Sequence, residues 1–212
     1  MEINYNKTKL LLFNPGQARD FGPKLELSGN IIEVVEETKL LGVLIISDLS
    51  WPSNTEFIIS RANKKLWCLR RLKALGAANE DLKDVYIKQI RCILEYAAPV
   101  WHSSVTLEES TQIERVQKSA LRIILGGSYY TYKNALQQMQ LETLYSRRQR
   151  LCVKFARQCL KSNKFSHWFK TEDKETITRQ RAQKFRSVYS RTMRYDKSPI
   201  SYLTKLLNEL KK

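Results

Sequence analysis

The sequence predicts an α+β fold that is mainly α, in which a small antiparallel β-hairpin sheet at the N-terminus precedes a bundle of helices. Short apolar stretches separated by Gly, Pro and Asn fill residues 1–52, as is typical of strands and turns. Residues 53–162 instead repeat apolar side chains at helical spacing. Residues 163–212 are rich in Lys, Arg, Ser and Thr, which predicts a basic, partly disordered tail with a short C-terminal helix.

Three strands are predicted in the N-terminal region, at residues 9–13, 31–35 and 39–46. The connection between the last two is too short for a crossover, so they are expected to pair as an antiparallel hairpin. Gly42 interrupts the third strand, which indicates either a bulge or a single bend in a buried edge strand. Trp51 lies between the last predicted strand and the first predicted helix, and we expect it to be buried in the core there.

Six helices are predicted, at residues 53–75, 79–99, 107–125, 132–139, 143–162 and 199–210. Ser53 or Asn54 can cap the first helix, and Gly76 can end it. Thr106 and Glu109 have the spacing of a capping box at the start of the third. Local capping signals of this kind give the helical region its predicted boundaries.

The charge of the chain indicates a polyanionic partner. It has 37 Lys and Arg against 21 Asp and Glu, a formal net charge of +16. Nucleic acid is the first candidate partner and an anionic membrane surface the second. No apolar run reaches the roughly 18 residues of a membrane span, and the N-terminus lacks a signal-peptide core. We therefore expect an intracellular protein, nuclear or cytoplasmic, that is not secreted and has no membrane partner.

The sequence lacks the residue patterns typical of catalytic and metal-binding sites. The four cysteines form no Cys-x-x-Cys pair and the two histidines are isolated, so we expect reduced cysteines that pack as small hydrophobes and no metal site. The six aspartates include no Asp-Asp pair, and Asp81 and Asp84 suit the start of a helix. Phosphate-binding glycine loops and nucleophile motifs are also missing from the sequence. These patterns predict no catalytic residue and no cofactor.

Basic side chains opposite the apolar stripes are the most informative pattern. They are Lys64, Trp67 and Arg71 on the first helix, Lys88 and Arg91 on the second, and Arg115, Lys118 and Arg122 on the third. Cations around an aromatic ring suit a phosphate backbone with a base or sugar stacked on the ring. The alternative is that these side chains are merely solvated and that Trp67 packs on a neighbouring helix. A further set on the long helix would be a fourth contact or a docking surface: Arg147, Arg148, Arg150, Lys154 and Arg157.

Five short segments form an ordered set: residues 4–9 (NYNKTK), 40–51 (LLGVLIISDLSW), 96–101 (YAAPVW), 113–124 (IERVQKSALRII) and 141–148 (LETLYSRR). In this order they resemble the "N..KTK", "LGV … L.W", "Y..P.W", "l..vQ…lR.i" and "L..L..RR" motifs of non-LTR, LINE-type retrotransposon reverse transcriptases. The resemblance spans most of the chain, and its specificity lies in the ordered set rather than in any single motif.

This resemblance implies the C-terminal part of such an enzyme, namely the end of the palm, the thumb and the helices that follow. The catalytic aspartates would belong to palm motifs before Met1, so the isolated chain is expected not to be an enzyme, and only an intact parent polymerase would need Mg²⁺. The implied partners are primer–template nucleic acid, as RNA–DNA hybrid or duplex DNA, and the absent palm and fingers. Met1 would be either a true start or a truncation.

The resemblance also assigns roles to the N-terminal residues. Lys7 or Lys9 would match a palm lysine that approaches the leaving pyrophosphate, although without the palm a terminal lysine is simply solvated. Leu41, Gly42 and Val43 would form a primer-grip-like turn near the primer end. A hypothesis of a different class is a domesticated helical scaffold that binds a protein partner through the Leu-rich C-terminal helix.

Overall fold

The computed structural model describes residues 4, 7–13, 25–27, 29–171, 185–186 and 189–210. The chain divides into two compact units, Met1–Ser60 and Arg61–Lys212. Strands are confined to the first unit, apart from one isolated bridge between Thr171 and Phe185 among the described residues. The predicted α+β, mainly α fold is thereby confirmed.

The strands of the first unit pair differently from the prediction. They are β1 (Lys9–Leu11), β2 (Glu26–Leu27), β3 (Asn30–Ile31), β4 (Glu33–Val35), β5 (Glu37–Leu40) and β6 (Val43–Ile46). β1 pairs with β4 in parallel, whereas β2 with β3 and β5 with β6 are antiparallel. The predicted hairpin between residues 31–35 and 39–46 is therefore wrong.

The chain reverses at Gly42, where a continuous strand was predicted. Leu41 and Gly42 have φ values of 48° and 88°. Two successive residues with positive φ are what a type I′ hairpin turn requires, because its twist matches that of the flanking strands. Leu40 then lies opposite Val43 in the β5–β6 ladder. Gly42 consequently splits the predicted strand into the two arms of one hairpin.

The core of the first unit joins this hairpin to the start of helix α1 (Pro52–Ala74). Val43, Trp51 and Ile58 are buried there, which confirms the structural role expected of Trp51. Asn54 does not cap the helix, since its buried Oδ1 accepts a hydrogen bond from the Leu44 amide at 3.3 Å. Pro52 opens the helix instead, because the first helical turn needs no amide donor there.

The second unit is helical. Its elements after α1 are α2 (Asn79–Val85), a π-helical segment (Tyr86–Arg91), α3 (Cys92–Glu95), α4 (Ala98–Trp101), α5 (Leu107–Leu125), α6 (Tyr132–Gln138), α7 (Leu144–Lys161), α8 (Met193–Asp196) and α9 (Pro199–Glu209). The helix predicted at residues 79–99 ends earlier, at Glu95, and Ala97 reverses the chain with a φ of 51°. Pro99 cannot continue a helix interior but fits the first turn of α4.

α9 packs against α7 inside the second unit. The shared core contains Cys152, Ala156, Cys159, Phe169, Phe185, Leu203, Leu206 and Leu207. Asn208 fastens the connecting chain, since its Oδ1 accepts from the Phe185 amide at 2.8 Å and its Nδ2 donates to the Phe185 carbonyl at 2.9 Å. The leucine face that the scaffold hypothesis assigns to a protein partner is thus covered by α7. Most of the stretch predicted to be poorly ordered, residues 172–184 in particular, lies outside the described residues.

Candidate nucleic-acid interface

α1 presents a basic and aromatic face to solvent. Leu66 and Leu69 lie on the apolar side of α1 and are buried. Residues on the opposite side of the helix therefore point away from the core. Lys64 and Arg71 are exposed, and Trp67 is 63% exposed rather than packed on a neighbouring helix. The Arg71 Cζ lies 5.9 Å from the centre of the Trp67 ring, within cation–π range. This face therefore offers a flat ring held beside a cation.

The N-terminus of α5 is stabilised by two reciprocal capping hydrogen bonds. The Glu109 amide donates to Thr106 Oγ1 at 3.2 Å, and the Thr106 amide donates to Glu109 Oε2 at 2.7 Å. The predicted capping box is thus confirmed, and the predicted stripe is buried: Ile113, Val116, Gln117, Ala120, Leu121 and Ile124. This burial turns the basic side of α5 outward.

The basic side of α5 also lies over aromatic rings. Arg115 and Arg122 are exposed, and Lys118 is half-buried. The Lys118 Nζ lies 5.1 Å from the centre of the Tyr132 ring, and the Arg122 Cζ lies 5.4 Å from that of Tyr129. Within the described part of the chain, none of these three cations pairs with a carboxylate. Their charge is available to an anionic ligand.

The C-terminal ends of α1 and α5 adjoin one another. Lys73 donates from Nζ to Asn79 Oδ1 at 3.0 Å, and its Cε lies 4.0 Å from the point where a Cβ on Gly126 would stand. Arg71 precedes Lys73 by two residues, and Arg122 precedes Gly126 by one helical turn. Cations are favoured at both ends, because helix C-termini carry partial negative charge. The structure therefore places Lys73 against the end of α5, whereas Lys64, Trp67 and Arg71 lie on the other side of α1. We call the place where Lys73 meets the basic side of α5 the α1–α5 junction.

A buried polar network holds the ring under Lys118. Tyr86 OH donates to Gln117 Oε1, and Gln117 Nε2 donates to Tyr132 OH at 2.8 Å and to the Glu142 carbonyl at 2.9 Å. Tyr132 OH in turn donates to Glu114 Oε1, which also accepts from the Leu144 amide at 3.1 Å. Burial raises the pKa of both Tyr86 and Tyr132, so both phenols stay protonated as donors. The network joins four helical elements and fixes the Tyr132 ring.

Lys88 and Arg91, the basic residues predicted on the second helix, both form salt bridges. Lys88 pairs with Asp84 at 2.7 Å on the surface. The Arg91 side chain is largely buried, and its Nε lies 3.1 Å from Glu95 Oε1. Arg91 was expected to point outward, but it pairs with Glu95 four residues further along, which also accepts from Arg147 Nε at 3.0 Å. Arg91 and Arg147 are thereby held in an ion pair within the helical unit.

Arg148 is the largest departure from the predicted surface. It is fully buried, donating from Nε to His102 Nδ1 at 3.3 Å and from Nη2 to Ser110 Oγ at 2.9 Å. Its Cζ lies 5.6 Å from the centre of the buried Trp101 ring. Arg148 shares the helical spacing of the buried Leu144 and Cys152, a signal that the sequence already contained. The guanidinium is therefore part of the core and unavailable to a ligand.

The remaining basic residues of α7 stay on the surface. Arg150, Lys154 and Arg157 are exposed, and with Lys161 they line a shallow groove of about 280 Å³. Arg150 pairs with Glu142. This face has cations but, among the residues lining the groove, no aromatic ring.

The residues assigned to a polymerase palm and primer grip lie in the first unit. Lys7 is exposed, and Lys9 pairs with Glu33 at 3.4 Å. Leu41, 84% exposed, and Gly42 form the tip of the β5–β6 hairpin, whereas Val43 is buried beneath it. Leu41 and Gly42 therefore form a hairpin turn with an apolar side chain at its tip, and Val43 belongs to strand β6 rather than to the turn.

The potential metal ligands and the cysteines are scattered over the described residues. The described residues contain no cluster of three or more His, Cys, Asp or Glu that could hold a metal ion. All four cysteines are free, and Cys152 and Cys159 are buried as expected. Cys68 and Cys92 are exposed, because both fall on the outer side of their helices. None of the helices in the described ranges combines the length and apolar character needed to cross a membrane.

Comparison with known proteins adds no relative. The chain matches no protein-family model, no curated protein and no solved structure.

Sequence reasoning missed part of the α1–α5 junction. Lys73, Tyr129 and Tyr132 belong to it, and Tyr130 beside them is 83% exposed. The signal for the tyrosines was their clustering directly after Gly126-Gly127, where a turn brings the chain back past the end of α5.

Proposed function

We propose that this chain is the C-terminal part of a LINE-type reverse transcriptase and that it binds nucleic acid through the α1–α5 junction. The ordered motifs and the net charge of +16 support the proposal. The observation that carries it is the junction, where Lys73 joins Lys118 and Arg122, which lie over the rings of Tyr132 and Tyr129 and form no salt bridge among the described residues.

The ligand of this proposal is primer–template nucleic acid, as RNA–DNA hybrid or duplex DNA, held through its phosphates. Contacts from Lys and Arg to phosphates release counterions and give salt-dependent affinity without reading the base sequence. The chain's own residues would grip and orient the duplex. Polymerisation, with its Mg²⁺, would belong to the palm of the parent enzyme, with which the first unit would associate. Nucleus or cytoplasm is the proposed location.

Several motif residues have structural roles that fit this origin. Gln117 is the centre of the buried network, Arg147 is in an ion pair and Arg148 is in the core. Motifs that maintain a helical scaffold are expected to persist in a part that has lost its catalytic neighbour. Scaffold residues therefore carry much of the resemblance, and the exposed Arg122 of the same motifs is one of the proposed phosphate contacts.

The test is a salt titration of binding to a fluorescent duplex and to an RNA–DNA hybrid. Lys118→Gln with Arg122→Gln should lower the log–log salt slope by about two, near 0.9 per lost phosphate contact on duplex. The affinity should fall similarly for unrelated sequences. Neutral substitutions are chosen because Glu at position 118 would face Glu114 one turn away.

A matched control makes the same change of charge on α7, as Lys154→Gln with Arg157→Gln. If the junction is the binding surface, the control should retain the wild-type slope. Equal losses in both variants would show that only the net charge matters, and an unaltered slope in the junction variant would overturn the proposal.

A further inference from the structure

An apolar groove of about 480 Å³ lies between helices of the second unit. α4, α7 and α9 contact one another there, and Pro99, Phe155 and Leu203 line the groove from these three helices. Val100 and Tyr195, which also line it, are exposed. Pockets of this size between helices, lined by aliphatic and aromatic side chains, are typical of small-molecule sites. We call it the α4–α9 groove.

The N-terminus of α9 forms the polar end of this groove. Ser198, Pro199, Ile200 and Ser201 all line it. No side chain caps α9, and the amides of Ile200 and Ser201 have no acceptor among the described residues. Free amide donors at the positive end of a helix dipole favour an anion. The groove therefore combines an apolar body with an anion-binding end.

Ser201 is an independent indication of a ligand. It lines the groove and is only 6% exposed, yet its hydroxyl has no hydrogen-bond partner within the described part of the chain. A buried hydroxyl without a partner costs free energy, which a bound acceptor would recover. Thr204, one turn further along α9, instead donates from its hydroxyl to the Ile200 carbonyl at 2.8 Å. Ser201 thus has a donor that the protein itself does not use.

The charges on the chain just before α9 are basic. Arg194 and Lys197 are exposed and form no salt bridge among the described residues. Asp196, the carboxylate between them, is already paired with Lys205 at 2.6 Å. Ser104 Oγ donates to the Lys197 carbonyl at 3.0 Å, which holds this corner against the chain that follows α4. The local charge therefore complements an anionic ligand and disfavours a cationic one.

We propose that the α4–α9 groove binds a small molecule with an apolar body and a carboxylate head. The body would lie against Val100, Phe155 and Tyr195, and the carboxylate would accept from the free amides of α9 and from the Ser201 hydroxyl. The lining residues are distinct from those of the α1–α5 junction, so the inference goes beyond the proposed function.

The experiment is a calorimetric titration of the full chain with decanoate, decanol and decylammonium, which share one apolar body. Decanoate should bind roughly tenfold more tightly than the other two. Octanoate, which lacks two of the methylene groups, should bind roughly tenfold more weakly than decanoate. Ser201→Ala should weaken decanoate binding roughly tenfold, the value of one hydrogen bond to a charged group.

Ile200→Glu tests the position of the head group. Glu is favoured in the first turn of a helix, so the fold should be retained, but its carboxylate would take the anion's place at the free amides. Decanoate binding should be lost, and decylammonium should become the tighter ligand. Leu107→Glu makes the same substitution in the first turn of α5, at a residue that is 87% exposed, and should leave both affinities unchanged.

Three results would overturn the inference. Equal affinities for the three amphiphiles, or no binding of any, would show that the groove holds no anion-binding end. Equal losses of decanoate binding in the two Glu variants would show that only the net charge matters. Tighter binding of a short leucine peptide with a free C-terminal carboxylate than of decanoate would assign the groove to a protein partner instead.

Discussion

Arg148 Nε donates a hydrogen bond to Nδ1 of His102 across 3.3 Å, in a part of the second unit where both side chains are buried. Because Nδ1 accepts, the neutral imidazole must carry its proton on Nε2. Burial, and then the nearby Arg148 charge, lower the pKa of His102 to about 4. The imidazole thus serves as a neutral acceptor for a buried cation.

The first prediction concerns pH. Unfolding raises the pKa of His102 from about 4 toward about 6.5, so the unfolded chain binds the additional proton. The neutral His102 therefore makes its full contribution to the free energy of unfolding above pH about 6.5. That free energy decreases as the pH falls toward about 4, and the loss reaches about 2 kcal/mol by pH about 5. Urea unfolding at several pH values between these limits measures it.

The two histidines provide the control for this prediction. His102→Gln should remove much of the pH dependence, whereas His167→Gln, at an exposed position, should leave it intact. Equal slopes for the wild type and His102→Gln would show that the imidazole is not neutral and buried.

The second prediction concerns Arg148 itself. Arg148→Met keeps the volume but leaves His102 Nδ1 and Ser110 Oγ without their donor. The expected loss in the free energy of unfolding is about 2 kcal/mol. Arg157→Met, an exposed arginine on the same helix, should cost less than about 0.5 kcal/mol. Denaturant melts of both variants compare them, and similar small losses would mean that Arg148 reaches solvent.

The third prediction concerns the hairpin tip. Gly42→Val should cost about 1–3 kcal/mol, because a β-branched residue is strained at a φ of 88°. Leu41→Asn should change stability in the opposite direction, by about 1 kcal/mol, since Asn tolerates the left-handed region better than Leu. Thermal melts of the two variants should therefore shift to opposite sides of the wild type. Shifts in the same direction would contradict a type I′ turn.

The fourth prediction concerns Gln117. Gln117→Leu fills a similar space but leaves the Tyr86 hydroxyl, the Tyr132 hydroxyl and the Glu142 carbonyl without their shared partner. Loss of these three buried hydrogen bonds should lower the free energy of unfolding by about 2–3 kcal/mol. Gln138→Leu, at an exposed position on α6, is the control and should be nearly neutral. A neutral Gln117→Leu would show that the network is not needed for folding.

The fifth prediction concerns activity. The purified chain with primer–template, Mg²⁺ and nucleotides should give no extension product, because two-metal chemistry needs paired carboxylates that the sequence does not supply. A gel assay beside an active polymerase checks this. Templated extension that survives repurification would refute the assignment to a part lacking the catalytic palm.

The helices were predictable because their signals are local. Thr106, Thr143 and Pro199 mark helix starts within a few residues of sequence, and the observed helices begin immediately after or at them. The strand pairing was not predictable in the same way. Lys9 pairs with Glu33 in a parallel ladder, and no local pattern specifies a partner that distant. Gly42 indicated an irregularity in the strand. It is a hairpin turn because both Leu41 and Gly42 adopt positive φ values, and the sequence gives no sign that Leu41 does so.

The candidate site was predictable where exposure follows from helical phase alone. Lys64, Trp67 and Arg71 satisfy that condition, as do Arg115 and Arg122. Arg91 and Arg148 do not, because a charged side chain can be buried when neighbouring helices supply its partners. The partner of Arg91 is Glu95 in the next helical element, and the partner of Arg148 is His102, which helix packing brings close from 46 residues away in sequence.

The packing of α9 on α7 has a consequence for synthesis of the chain. The apolar side of α7, with Cys152, Ala156 and Cys159, has its covering leucines about fifty residues further along the sequence. While the ribosome is still making the intervening segment, that side has no cover and is open to chaperones or to self-association. This core of the helical unit can therefore close only after Leu207 has left the exit tunnel.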